Sequence, residues 1–151
     1  MSGQQIGRRV VTGLDPAGQS CILIDGPVTL TNDVGGMIWR TPAVPADNSG
    51  SADAATPFDF DLIHRGGSHF LLVQIPPDAE PYMHATDTLD YMVIVKGEVV
   101  LVVETGETVL RAGDFLVDRG IVHALRNDTG ETALLAIVTL TSIPVGKGRT
   151  V

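Results

Sequence analysis

The segment MHATDTLDYMVIVKG, residues 83–97, is the most informative part of the sequence. Its second half is a run of aromatic and branched apolar side chains that stops at Lys-Gly. This run predicts a β-strand over residues 90–95, followed by a turn at Gly97. Its first half holds a histidine, two threonines and two aspartates. Polar groups that lead directly into a buried strand favour a site inside a barrel.

Alternation along the strand predicts which of these side chains lie together. Residues two apart in a strand share a face, so His84 and Thr86 are expected side by side. For the same reason Asp90 is expected on the face of Met92 and Ile94. The later segment VHALR places another histidine and a leucine on one face in the same way.

Short apolar segments separated by turn sequences continue through the second half of the chain. The turns contain TGE, AGD and NDTGE, and no stretch has the periodicity of an amphipathic helix. Short strands at this spacing predict an all-β sandwich or barrel. The strand segments are 69–75, 90–95, 98–104, 108–111, 115–118, 122–126 and 132–143.

The first third of the chain follows a different pattern. Residues 8–30 contain short apolar segments separated by Pro-containing turns, which predicts further strands. Residues 41–57 hold three prolines and many small residues without periodicity. This segment is interpreted as a loop or mobile linker, with a lid over a site as the alternative.

Several predicted strands are apolar on both faces, as at 92–95, 99–103 and 133–138. An antiparallel strand with one wet face alternates apolar and polar residues, and these do not. Their outer faces therefore need cover from the N-terminal strands, from a partner subunit, or from both. A homodimer is the predicted assembly.

Composition and charge limit the classes of partner. The chain has 151 residues, a net charge of −8 and a single cysteine, Cys21. An acidic chain of this kind argues against binding to nucleic acid or to an anionic membrane surface. Because there is no second cysteine for an internal disulfide and no apolar signal segment, we expect a cytoplasmic protein.

The residues around His84 resemble the first motif of the cupin superfamily. In that motif a His-x-His pair precedes a glutamate and a glycine. Here the corresponding positions hold His84, Thr86, Asp90 and Gly97. Thr86 thus replaces the second histidine, and Asp90 is one methylene shorter than the glutamate.

A later segment resembles the second cupin motif, in which Pro-x-Gly leads to a histidine and an asparagine. Here the positions hold Asp118, Gly120, His123 and Asn127, so that an aspartate replaces the proline. The resemblance covers about residues 67–142.

The resemblance implies a single conserved double-stranded β-helix, a jelly-roll barrel, with extra N-terminal strands. The expected organisation is an N-terminal segment of strands and loop (1–60), a cupin barrel (61–145) and a tail (146–151).

The resemblance also implies a site inside the barrel, with His84, Asp90 and His123 at the metal-ligand positions. Two histidines and a carboxylate suit Fe(II) and can also hold Zn, Mn or Ni. Thr86 is expected near the metal but outside direct contact, because a neutral hydroxyl is a poor ligand. These four residues are the candidate catalytic residues. The alternatives are a metal-free pocket in which the histidines act as acid, base or donor, and a purely structural role for both.

Five further residues are expected around that site. Met92, Ile94 and Leu125 should form an apolar wall, as is usual for a small-ligand pocket. Tyr82 and Trp39 are expected either to close the barrel mouth or to pack in the core.

The remaining two histidines, His64 and His69, flank the sequence RGGS and are interpreted as surface or loop residues.

Two functions are compatible with the resemblance. The first is an enzyme acting on a small carbonyl or carboxyl compound, of the decarboxylase, isomerase, dehydratase or dioxygenase type. The second is a non-catalytic module that binds a small ligand. The fold alone does not distinguish them.

Overall fold

A computed structural model describes residues 5–31 and 34–151. Within these ranges the chain forms ten β-strands and one short α-helix, so the predicted all-β fold is confirmed. In the same ranges no helix has the length and apolar character needed to cross a membrane. The elements are β1 Gln5–Leu14, β2 Ser20–Thr29, β3 Gly35–Thr41, α1 Phe60–Ile63, β4 Ser68–Ile75, β5 Thr88–Lys96, β6 Glu98–Val103, β7 Gly106–Arg111, β8 Phe115–Asp118, β9 His123–Arg126 and β10 Ala133–Thr141.

The barrel is built from two antiparallel sheets that enclose an apolar core. The larger sheet has the strand order β3-β4-β10-β5-β8, and the smaller has the order β7-β6-β9. The last strand, β10, therefore lies between β4 and β5 and is paired with both, so that the end of the barrel sequence is hydrogen-bonded to its beginning. The buried core consists of Met37, Leu71, Met92, Ile94, Val99, Ala133, Leu135 and Ile137.

Strand β5 shows the alternation expected from its sequence. Asp90, Met92 and Ile94 are buried on the inner face, whereas Tyr91 and Val95 are exposed on the outer face at 46% and 49%. The outer face of β5 is therefore only partly covered within one chain.

The first two strands form a separate hairpin. Its turn is closed by Asp15, whose Oδ1 accepts hydrogen bonds from the backbone N–H groups of Ala17 and Gln19. A side chain added at Gly7 would come within 3.1 Å of Leu72. The hairpin thus lies against the outer side of β4, and Leu72 is 7% exposed.

Residues 42–59 contain neither helix nor strand, as predicted for the proline-rich loop. Arg9 on β1 forms an ion pair with Asp53, which attaches this loop to the hairpin. The loop leads into α1, a single helical turn that Asp59 caps by accepting a hydrogen bond from the N–H of Asp61.

Candidate functional site

The centre of the site is a β-bridge between His84 and His123. The backbone N–H of each histidine donates to the carbonyl oxygen of the other, and both N···O distances are 2.9 Å. The bridge brings the two imidazole rings together, with centroids 4.7 Å apart. The structure thus brings together two of the predicted site residues that are 39 positions apart in the sequence.

Both imidazole rings are oriented by hydrogen bonds to the backbone. Nδ1 of His84 lies 2.8 Å from the carbonyl oxygen of Tyr82, and Nδ1 of His123 lies 2.9 Å from that of Ile121. In a neutral ring each Nδ1 therefore carries the proton, and each Nε2 keeps a lone pair. Among the described residues neither Nε2 has a hydrogen-bond partner.

Two aromatic side chains surround the His84 ring. Tyr82 stacks on it at a centroid distance of 5.7 Å, and Phe60 from α1 meets it edge-on at 6.2 Å. Burial lowers the pKa of His84, and the neighbouring His123 lowers it further. Of the two residues expected at the barrel mouth, Tyr82 contacts the site.

Trp39 lies elsewhere. It pairs with Phe70, whose side chain is exposed on the outer face of the larger sheet. An irregularity in strand pairing between Met37 and Trp39 reverses the alternation of β3, so that Trp39 shares the outer face with Phe70.

Asp118 is a site residue that sequence reasoning did not include. Its Oδ2 lies 2.9 Å from Nδ1 of His123, and the two side chains are 2% and 4% exposed. Because the N–H of His123 is directed at Ile121, this oxygen has no aligned donor. The other oxygen, Oδ1, accepts a hydrogen bond from the N–H of Gly120. The exchange of the motif proline for an aspartate was the signal available in the sequence.

The Asp118–His123 contact changes the pKa of both groups. Burial raises the pKa of Asp118, but the contact with His123 and the N–H groups of Gly120 and Ile121 outweigh it, and the net change is downward. Burial lowers the pKa of His123, but Asp118 and the Ile121 carbonyl outweigh it, and the net change is upward.

Asp90 lies directly opposite Asp118 in the pairing of β5 with β8. Its side chain is 7% exposed, and Oδ1 has no hydrogen-bond partner among the described residues. Burial raises the pKa of Asp90 to about 6, and the charge of Asp118 adds to this rise against the opposing effects of Thr88 and His123. Asp90 can therefore change its protonation state near neutral pH.

The predicted metal ligands do not form one compact set. Among residues 5–31 and 34–151, no three His, Cys, Asp or Glu side chains are grouped as metal ligands. The two histidines are adjacent, whereas Asp90 is not grouped with them. Thr86 is buried, and its hydroxyl lies 2.8 Å from that of Thr88. Thr86 thus lies in the barrel beside the site, hydrogen-bonded to another threonine.

The cavity beside the site has different walls from those expected. It has a volume of about 340 Å³, and Asp118 is one of its lining residues. Met92 and Ile94 belong to the closed core, and Leu125 packs against that core. The cavity is mostly apolar, and its lining consists of Leu101, Leu116, Val117, Asp118, Arg119, Ile121 and Val145.

The C-terminal residues hold the segment that carries His84 and Thr86. The N–H of Ala85 donates to the hydroxyl of Thr150, and the N–H of Thr150 donates to the carbonyl of Ala85, both at 2.9 Å. The N–H of Arg149 donates to Asp87 at 2.9 Å. The tail therefore fixes the backbone between two site residues.

Of the other two histidines, the interpretation of His69 needs correction, whereas His64 lies in the turn after α1, as expected for a loop residue. His69 is fully buried at 0% exposure, because it lies on the inner face of β4, where its Nδ1 is 3.3 Å from the hydroxyl of Thr139. His64 is partly buried, and its two ring nitrogens contact the N–H of Asp87 and the guanidinium of Arg149.

Comparisons with known proteins identify the family. Residues 71–139 match the model of the Cupin domain family. Phomopsin biosynthesis cluster protein D of Diaporthe leptostromiformis is 31% identical over 150 residues, which cover 91% of this chain and 79% of that protein. A cupin-domain-containing oxidoreductase of Neurospora crassa is 27% identical over 135 residues, which cover 83% of this chain and 69% of that protein.

One solved structure can be aligned with part of this chain. A Cupin 2 conserved barrel domain protein from Salinispora arenicola aligns with a TM-score of 0.45 and 19% identity, over 48% of this chain and 62% of that one. Because residues 71–139 match the Cupin domain family and the relatives cover most of the chain, the chain belongs to the cupin superfamily.

Proposed function

We propose that the protein is a small cupin enzyme that transfers a proton on a small carbonyl or carboxyl compound, with a divalent metal held by His84 and His123. This proposal depends on one observation: the β-bridge places His84 next to His123, and the Nε2 atom of each ring has no hydrogen-bond partner among the described residues. Cupins commonly bind metals.

The histidine geometry supports a metal for a physical reason. A metal-binding histidine usually donates its second ring N–H to a carbonyl or carboxylate, which fixes the tautomer and raises the basicity of the ligating nitrogen. Both rings here have that arrangement through Nδ1. His84 and His123 thus fit a metal, which would polarise a substrate carbonyl or carboxylate oxygen as a Lewis acid.

Asp90 is best suited to move the proton. The sequence resemblance favoured Asp90 as a third ligand, but the carboxylate is not grouped with the two histidines. It is buried, its Oδ1 is unpartnered, and its pKa is raised to about 6. A base whose pKa lies near the operating pH combines correct protonation with a useful driving force for proton transfer.

A metal-free form of the same chemistry is supported by a separate observation. Asp118 lies 2.9 Å from Nδ1 of His123, and this contact raises the pKa of the imidazole. A carboxylate that orients a histidine and stabilises its protonated form is a common acid–base pair. In this form His123 would act as the acid and Asp90 as the base.

The relatives support an enzyme rather than a binding module. The Neurospora crassa protein and a similar one from Aspergillus ruber are cupin-domain-containing oxidoreductases, and the Diaporthe proteins belong to a biosynthesis cluster. The apolar cavity beside Asp118 is compatible with a small organic substrate.

Exchange of substrate hydrogen with solvent tests the proposal without knowledge of the product. The metal-loaded protein would be incubated in D₂O with a panel of short 2-oxo and 2-hydroxy acids, and deuterium at the carbon next to the carbonyl or carboxyl group would be followed by NMR. We expect incorporation that depends on the protein and falls about 10²–10⁴-fold in Asp90→Asn. Asp78→Asn, at an exposed loop aspartate, is the control and should match the parent. Incorporation that is equal in Asp90→Asn and the parent would contradict the role of Asp90.

We also propose that the protein is a homodimer through the outer face of the larger sheet. Phe70, Tyr91, Val95, Phe115 and Val117 each expose 41–77% of their surface there. Apolar side chains clustered on one sheet face typically mark an interface. Light scattering at low micromolar concentration should give about twice 15.9 kDa, and a mass of 15.9 kDa would contradict the dimer.

A further inference from the structure

A row of polar side chains crosses the inner face of the larger sheet from one edge to the other. Strand pairing places Arg40 opposite His69, His69 opposite Thr139, Thr139 opposite Asp90, and Asp90 opposite Asp118. Paired residues in antiparallel strands point to the same face. Because His69, Thr139, Asp90 and Asp118 are all buried, that shared face is the interior.

This polar row contains all the described side-chain atoms that are both buried and without a hydrogen-bond partner. They are Arg40 Nε, His69 Nε2, Asp90 Oδ1 and Asp118 Oδ2. Asp118 Oδ2 lies 2.9 Å from Nδ1 of His123 and so has a polar neighbour. The other three atoms have none, and because a buried polar atom without a partner is costly, they indicate that another molecule supplies the partners. The cationic end is at β3 and β4, and the acidic end is at β5 and β8.

Arg40 differs from the other partly buried arginines of the described chain. Arg9 pairs with Asp53, and Arg126 pairs with Glu107 and with an adjacent aspartate. Arg40 is also partly buried, but its side chain has neither an ion pair nor a hydrogen bond to any described residue. Burying a guanidinium without a nearby anion costs free energy, because the charge loses its hydration. The planar arrangement of its N–H donors matches the two oxygens of a carboxylate.

His69 adds a second donor beside this guanidinium. Its Nδ1 lies 3.3 Å from the hydroxyl of Thr139. When that hydroxyl donates to Nδ1, the proton of the neutral ring is on Nε2, which then becomes a donor. Burial and the charges of Arg40 and His64 lower the pKa of His69, which favours the neutral ring.

We propose that Arg40 and His69 form a carboxylate-binding subsite in the barrel, and that the substrate is a carboxylic acid whose carboxylate is held there. This inference rests on the proposed function, because it names the substrate class for the same barrel interior. The backbones of Arg40 and Asp90 are three strand spacings apart, about 14 Å, and both side chains lie on the inner face of the sheet. A carboxylic acid with several carbon atoms suits this distance better than acetate.

Calorimetric titration of the protein without added metal tests the subsite. The probes are acetate, hexanoate and succinate, with inorganic phosphate and chloride as competing anions at constant ionic strength. We expect saturable binding of hexanoate or succinate that weakens about 10-fold or more in Arg40→Gln, since a hydrogen bond to a charged group contributes about 1.5–3 kcal/mol. His69→Gln should weaken binding by a smaller factor. Arg111→Gln is the matched control, because Arg111 is an exposed arginine on β7 of the other sheet, and it should bind like the parent.

Arg40→Lys keeps the positive charge and serves as the second variant if Arg40→Gln does not fold. It should also weaken binding, since a lysine ammonium lacks the planar fork. No saturable binding by the parent, equal binding by either Arg40 variant, or phosphate or chloride binding as tightly as the carboxylates would overturn the subsite. Divalent-metal binding by Arg40→Gln should equal that of the parent. Loss of metal binding in His84→Ala with carboxylate binding intact would therefore separate the two sites and support the subsite.

Discussion

Replacing Asp90 by asparagine should stabilise the protein at high pH and have little effect at low pH. Asp90 is buried beside Asp118, and its pKa in the folded protein is about 6, against an ordinary value of 3.8. An amide has nearly the same shape as the carboxyl group but never ionises. The variant therefore removes the cost of a buried charge and leaves most of the packing unchanged.

The sign of the effect follows from proton linkage. A group whose pKa is raised on folding contributes stability below the unfolded pKa of about 3.8, and that contribution is lost as pH rises through about 6. The rise in pKa corresponds to ~3 kcal/mol at ~1.36 kcal/mol per pH unit. Because Asp90, Asp118 and His123 titrate together, the full value is not expected from one residue. We expect the free energy of unfolding of Asp90→Asn, relative to the parent, to be ~1–3 kcal/mol higher at pH 8 than at pH 4.5.

Thermal unfolding at pH 4.5 and pH 8, without added metal, measures this difference. For a chain of this size 1 kcal/mol shifts Tm by about 2–4 °C. The gain in Tm for Asp90→Asn over the parent should thus be larger at pH 8 than at pH 4.5, by roughly 2–12 °C. Asp78→Asn, at an exposed position, should show the same small effect at both pH values. A gain for Asp90→Asn that is equal at both pH values, or larger at pH 4.5, would show that Asp90 does not carry a buried charge in the folded protein at pH 8.

Three further predictions follow from the site. Thr86→His restores the second histidine of the cupin motif, so it should raise metal affinity and lower the rate of deuterium exchange into the substrate. An unchanged metal affinity in calorimetry would contradict this. Gly120→Ala should destabilise by more than about 2 kcal/mol in urea unfolding, because Gly120 has a φ of +75° and an added Cβ would lie 2.8 Å from the Thr86 carbonyl oxygen. Thr150→Val removes the hydroxyl that accepts a hydrogen bond from the N–H of Ala85, so it should lower the free energy of unfolding by about 1 kcal/mol and weaken metal binding. Metal affinity equal to that of the parent would show that the C-terminal residues do not support the site.

The sequence predicted the barrel strands because local patterns specify them. Val, Ile and Leu segments end at turn residues, and β5 begins and ends within two residues of its predicted bounds. The bridge between His84 and His123 was predictable only through the spacing of both cupin motifs, since neither histidine is near the other in the chain. Their proximity depends on the pairing of segments that no local pattern determines.

The residues that sequence reasoning misplaced depend on strand pairing. Asp118 joins the site because β8 pairs with β5, a contact between segments about 28 positions apart. Strand β3 was not predicted, and its pairing irregularity turns Trp39 outward and Arg40 inward. His69 alternates with Leu71 on the inner face of β4, so the strand pattern itself contained the correct burial, which the neighbouring RGGS sequence obscured.

Metal binding by the His84–His123 pair is the sharpest test of the proposed enzyme. Protein purified without a histidine tag would be titrated with Fe(II) under anaerobic conditions, and with Zn, Mn and Ni, and the bound metal measured by elemental analysis after dialysis. We expect about one divalent ion per chain, lost in both His84→Ala and His123→Ala and retained in His64→Gln, which removes a histidine outside the pair. Substoichiometric metal that is the same in the parent and all three variants would contradict it.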